Sequence, residues 1–142
     1  MKLYFYNNSK CMGPQSGIQA LHAAVELLTK YYDDSELHSK FVDMIHTWST
    51  QHKTVAVLNG GSHYDLQSML AQLDGNEESP YAYFTEEDLN DALTSVAILC
   101  TQDMVDDMDA LRRKFICDDE LHDKYGSYAT VLTLLAYART AN

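Results

Sequence analysis

Leu3-Tyr4-Phe5-Tyr6-Asn7-Asn8-Ser9-Lys10-Cys11-Met12-Gly13-Pro14 is the stretch on which the fold turns. Its aromatic-rich start is β-type, and the Asn-Asn-Ser that follows reads as a loop. Gly13-Pro14 then punctuates the chain, with proline where a first helical turn favours it. Beyond it Ile18, Leu21, Val25, Leu28 and Tyr32 recur at helical spacing and end near Asp33-Asp34. Gln19, His22 and Glu26 stand three and four residues apart and share the other face of the same helix. The opening therefore reads as strand, loop, helix.

Outward from it the alternation continues. A second helix is expected from about Ser35 to Trp48, with Leu37, Phe41, Ile45 and Trp48 on one side. Thr54-Val55-Ala56-Val57-Leu58 is a continuous apolar run that reads as a buried strand. Ser62 and Asp65 stand at capping spacing before Leu66, Met69, Leu70 and Leu73, and Asp74-Gly75-Asn76 stops that third helix. Tyr81–Phe84 and Leu93–Cys100 are two further strands. Met104, Met108, Leu111 and Phe115 form one helical stripe, and Leu121, Tyr125, Tyr128, Leu132 and Leu135 another. The last stripe fits either a core or a homodimer face. The expected fold class is α/β, a layered sheet with helices on its faces and a site at the carboxyl ends of its parallel strands. The loop Asn7–Gly17 is the leading candidate for that site.

The chain has 142 residues, with 10 basic and 21 acidic groups and a net charge of −11. That is one domain by length, read as a core over residues 1–110 and a helical extension over 111–142. Residues 1–60 carry five basic and five acidic groups, and residues 61–142 carry five and sixteen, so the whole excess lies in the second part. Nucleic-acid binding gains affinity from Lys and Arg that displace phosphate counterions, so an extensive nucleic-acid surface is not expected. Three cysteines without C-x-x-C spacing support neither a disulfide framework nor a four-cysteine zinc site. The six histidines show no metal-ligand spacing, and no metal or cofactor is expected. The apolar runs are too short for a signal segment or a membrane span. A reducing, cytoplasmic setting is the expectation, in the host cytoplasm if the chain is phage-encoded.

Three ordered motifs sharpen the reading. Asn-Asn-Ser-Lys-Cys-Met-Gly after a first strand, followed by Gln19-x-x-His22-Ala23-Ala24 in the next helix, resembles the N-terminal signature of class II peptidyl-tRNA hydrolases. Trp48 followed by Lys53-Thr54-Val55-Ala56-Val57 is similar to that family's second-strand segment. Phe84-Thr85-Glu86-Glu87-Asp88-Leu89-Asn90-Asp91-Ala92-Leu93-Thr94-Ser95 resembles a shortened-loop variant among its relatives. The match spans roughly residues 2–110. It implies a four-stranded mixed sheet flanked by helices and hydrolysis of the ester joining a peptide to tRNA. That chemistry needs a base or water-orienting group and donors for an oxyanion.

Carried over, the resemblance makes His22, Asp88, Lys10 and Gln19 the catalytic candidates. Asn7, Met12, Gly13, Lys53, Glu86, Asn90 and Thr94 become the substrate-binding ones. The implied partner is a tRNA 3′ end or a nucleotide-like small molecule. The chain departs from the family pattern in two places. Pro14-Gln15-Ser16 stands where the family has a lysine-rich loop, and no Gly-Arg-Thr-Gln segment follows the acidic residue. The alternative expectation is a catalytically inactive binding protein, for example a phage-encoded one, that keeps the fold and meets a protein partner.

Overall fold

The computed structural model describes residues 1–32 and 39–141. Four strands, β1 (Lys2–Asn7), β2 (Val55–Asn59), β3 (Tyr81–Glu86) and β4 (Ala92–Cys100), form one mixed sheet in the order β2-β1-β4-β3. β1 and β2 run parallel, and β4 runs antiparallel to both β1 and β3. The carboxyl ends of β1, β2 and β3 therefore share one edge of the sheet with the start of β4. Helices α1 (Pro14–Tyr32) and α2 (Ser39–Thr47) cover one face. Helices α3 (His63–Leu73), α4 (Gln102–Arg112), α5 (Asp118–Tyr125) and α6 (Ala129–Tyr137) make up the layer on the other. Alternation along β1 feeds both layers, with Leu3 and Phe5 on the α1 side and Tyr4 on the other. Among the described residues no helix is long and apolar enough to cross a membrane. The start expected for the second helix, with Leu37, lies outside the described residues.

Local chemistry explains the boundaries. Trp48 opens a π-helical turn to His52, and its ring N–H donates to the Thr54 carbonyl at 2.9 Å, pinning the entry to β2. Ser62 and Asp65 cap α3 reciprocally, as their spacing predicts. Residues 121–135 split into α5, a short 3-10 turn and α6 around Gly126, and Leu121, Tyr128, Leu132 and Leu135 are all buried in the core. The last helix is thus a structural layer rather than a free homodimer face.

Three expectations are corrected. The stripe Ile18, Leu21, Val25, Leu28, Tyr32 points to solvent, and α1 buries Gln19, Ala20, Ala23, Leu27 and Tyr31 instead. Small alanines let the helix lie close to the sheet, which outweighs the greater hydrophobicity of the other stripe. β2 is an edge strand, with Val55 exposed, rather than a fully buried one. Its outer side is covered by the C-terminal segment, where Asn59 N donates to Arg139 O and Ala141 N to Val57 O. Phe115 is exposed because α4 ends at Arg112 and Lys114 turns through a positive φ of 62°.

Candidate functional site

Among the described residues, six of the seven buried polar ones lie at one place, the carboxyl edge of the sheet on the α1 side. They are Asn7, Asn8, Ser16, Gln19, Thr94 and Ser95; of these seven, Ser79 alone is elsewhere. Buried polar groups cost free energy unless bonded, so such a concentration needs a purpose.

The two asparagines build the loop. Asn7 Nδ2 donates to the Ser16 carbonyl at 2.7 Å and to Ser16 Oγ at 2.9 Å, tying the end of β1 to the first turn of α1. Asn8 Nδ2 donates to the Leu93 carbonyl at 2.9 Å, and Asn8 Oδ1 accepts from Lys10 N, an Asx turn that anchors the loop to β4. A carbonyl can only accept, so the Asn7 nitrogen must face Ser16. That leaves Asn7 Oδ1 buried with no hydrogen-bond partner among the described residues. Ser95, opposite Asn7 in the β1–β4 register, has an equally unpartnered hydroxyl.

A bulge supplies the next contact. Phe84 pairs with Ser95 and Thr85 with Leu93, so Thr94 is an extra residue in β4. A bulge of this kind re-aims a side chain. Thr94 Oγ1 donates to Gln19 Oε1 at 2.7 Å, and Gln19 Nε2 donates to Glu86 Oε2 at 3.3 Å. The carboxylate accepts only, which fixes the amide's orientation and makes the chain run Thr94 to Gln19 to Glu86. Gln19 is 3% exposed. The buried thiol of Cys11 is pushed up in pKa, first by desolvation and then by the Glu86 charge, so the loop and the carboxylate share one electrostatic environment.

Other candidates surround this core. His22, one turn beyond Gln19, is exposed, with its ring stacked on Phe84 at 4.4 Å between centroids. Lys10 and Met12 are exposed on the loop, and Gly13 takes a φ of 56° at its exit. Asp88 is exposed in the β3–β4 connection, where Asn90 and Asp91 adopt φ of 54° and 56° to turn the chain. Among the described residues no hydrogen bond joins His22, Lys10 and Asp88 to one another. Lys53 is not brought to this group. It precedes β2, whose far end at Asn59 pairs with Asn7, so six residues of extended chain put it about 20 Å away.

Two contributors have no sequence signal. Arg139 reaches the same edge because the C-terminal segment pairs with β2, and it helps wall a hollow of about 500 Å³ with Asn7, Asn8, Cys11, Met12 and Asn59. His63 Nδ1 accepts from Leu93 N at 2.9 Å, holding the strand start beside Thr94. Among the described residues no group of three or more His, Cys, Asp or Glu is placed to hold a metal ion.

The arrangement offers a carboxylate held by an amide, an imidazole at its rim, two cationic side chains on the same edge and unpartnered buried acceptors. These are the parts of a site for polar, water-dependent chemistry or for recognition of a small polar group. No protein-family model matches the chain, and no curated protein matches it detectably.

Proposed function

We propose that the chain is an ester hydrolase of the peptidyl-tRNA hydrolase kind, acting at the aminoacyl end of a nucleotide-linked substrate. The observation that carries the proposal is the Thr94–Gln19–Glu86 hydrogen-bond chain. Residues from two of the motif segments, far apart in sequence, meet there at the edge where Asn7 and Lys10 of the first segment also lie. Glu86 is held by Gln19 in the proposal, and His22 or Asp88 takes the proton from the attacking water. As water's oxygen bonds to the carbonyl carbon, Lys10 faces the developing oxyanion. Collapse breaks the bond to the ribose oxygen, which leaves with a proton. Gln19, buried and doubly engaged, is a positioning residue.

Electrostatics limits the substrate contact. Glu86, Glu87, Asp88 and Asp91 oppose a phosphate backbone, while Lys10 and Arg139 suffice for one or two phosphates. The proposed contact is thus the 3′ terminus and not the body of a tRNA. Arg139 takes over the charge that the missing loop lysines would supply.

The test is single-turnover cleavage of an N-acetylated aminoacyl-tRNA. The parent releases the acyl group faster than the spontaneous rate, and His22→Ala or Asp88→Ala slows it by about 10²-fold or more. Equal rates for the parent and both variants would remove the assignment. A second reading has its own observation: the C-terminal segment lines the hollow, and among the described residues no hydrogen bond joins His22, Lys10 and Asp88. On that reading the same edge binds a small polar ligand without turnover, and saturable binding with no release would favour it.

A further inference from the structure

We infer that the exposed face of α1 pairs with the same helix of a second copy of this chain, forming a short two-stranded coiled-coil seam. Ile18, Leu21, Val25, Leu28 and Tyr32 are spaced by three, four, three and four residues, the a and d positions of consecutive heptads. They range from 40% exposed at Leu28 to 81% at Tyr32. Nothing in the described fold covers them, since the core side of α1 is taken by Ala20, Ala23, Leu27 and Tyr31. A hydrophobic stripe that the fold does not need is evidence for a partner.

The occupant follows from four features of the stripe. First, its area suits a self-contact. Ordinary side-chain areas scaled by these exposures leave roughly 500 Å² per copy, so pairing withdraws on the order of 1,000 Å², the floor for a specific interface. Second, the residue choice is that of a dimer. β-branched Ile18 and Val25 occupy a, with leucine at both d positions, which favours two parallel strands with each layer meeting its own copy. Third, charge permits it. Residues 14–32 hold only Glu26 and Lys30, whereas the whole excess of −11 lies in residues 61–142. Lys30 is turned back to its own sheet, donating to the Tyr81 carbonyl at 2.9 Å with its nitrogen 4.1 Å from the Tyr81 ring centre. Fourth, the helix is already formed. Two heptads are too few to nucleate an isolated coil, but α1 is held by the sheet, so pairing orders little new backbone.

The seam runs beside the proposed site. His22 falls at an e position, flanking the stripe, so a dimer would border the imidazole without covering Gln19. The inference draws on nothing in the proposed chemistry and stands whether or not the chain hydrolyses an ester.

Sedimentation equilibrium on the full chain at about 100 μM, above the micromolar range that a contact of this size supports, gives the test. The parent is expected at twice the chain mass. Leu21→Glu and Leu21→Lys are each expected to be monomers with unchanged circular dichroism, because that side chain is exposed in the single chain. Mixing them one to one should restore the dimer through a Glu–Lys layer. A parent that stays monomeric, or a dimer that survives Leu21→Glu with Leu28→Glu, overturns the inference. So does a dimer that only the mixture of Leu21→Glu with Val25→Lys restores, since that would place the helices antiparallel. A monomeric parent that instead binds an unrelated amphipathic helix through this stripe would replace the second copy with a different partner and refute the self-pairing.

Discussion

Gln19→Leu is expected to slow ester cleavage by about two orders of magnitude while leaving a folded protein. Leucine keeps the bulk inside α1's packed face but removes both halves of the amide. Glu86 then loses the donor at 3.3 Å that holds its carboxylate, and Thr94 loses the acceptor at 2.7 Å that orients its hydroxyl. A displacement of about 1 Å in a group that positions reactants costs on the order of 10²-fold. The stability cost is smaller, about 2 kcal/mol, because Thr94 can fall back on the Phe84 carbonyl at 3.3 Å and Glu86 is only half-buried. Thr94→Val tests the same chain from its other end. It preserves shape, removes the hydroxyl and leaves Gln19 Oε1 buried without a donor, so it should lower activity less than Gln19→Leu. Wild-type rates for Gln19→Leu would show that the amide is only filling the core.

The largest expected loss of stability is at Gly60. A Cβ there would lie 2.7 Å from the Asn7 carbonyl oxygen, 2.7 Å from Leu66 Cδ2 and 2.9 Å from the Tyr6 carbonyl carbon. Two of the three are backbone atoms of the neighbouring strand, and Leu66 is fully buried, so none can yield cheaply. The Gly60 N–H also donates to Asn7 O, which locks β2 to β1 at the site's edge. Gly60→Ala is expected to cost about 3 kcal/mol or more and to lower the melting temperature by roughly 10 °C. Gly17→Ala is the contrasting variant. A Cβ at position 17, inside α1, meets nothing within 4 Å, and the substitution should stabilise by about 0.5–1 kcal/mol. Differential scanning calorimetry on the pair separates close approach at Gly60 from a general cost of removing glycine.

Much of the scaffold was legible because period and punctuation agreed. Pro14 starts α1, Ser62 and Asp65 cap α3, and β1 runs from Lys2 into the asparagine pair. The orientation of α1 was not legible. Hydrophobicity marks Ile18, Leu21, Val25 and Leu28, whereas close packing on a sheet selects the alanines beside them. β2 reads as a buried strand but is an edge strand whose outer side is finished by residues 139–141, a pairing no local pattern encodes.

The site divides the same way. The convergence expected of Lys10, His22 and Asp88 is not seen as a hydrogen bond among the described residues, whereas Gln19, Glu86 and Thr94 meet through a bulge that makes Thr94 the extra residue of β4, which only the β3–β4 register reveals. Lys53 shares a motif with β2 but sits at its amino end, and strand direction places it away from the cluster. Arg139, with no motif, is placed at the site by the last residues folding back.

The most direct measurement is a side-chain amide nuclear magnetic resonance titration with an uncleavable 3′-aminoacylamido-adenosine. Both Asn7 and Gln19 carry NH₂ groups inside the proposed site, so their signals report occupancy without requiring turnover. Saturable shifts of those two pairs are expected, with the side-chain amides of Gln67 in α3 and Gln102 in α4, in the opposite layer, unmoved. Unchanged Asn7 and Gln19 signals at saturating ligand, or shifts confined to the opposite layer, would contradict the proposed site.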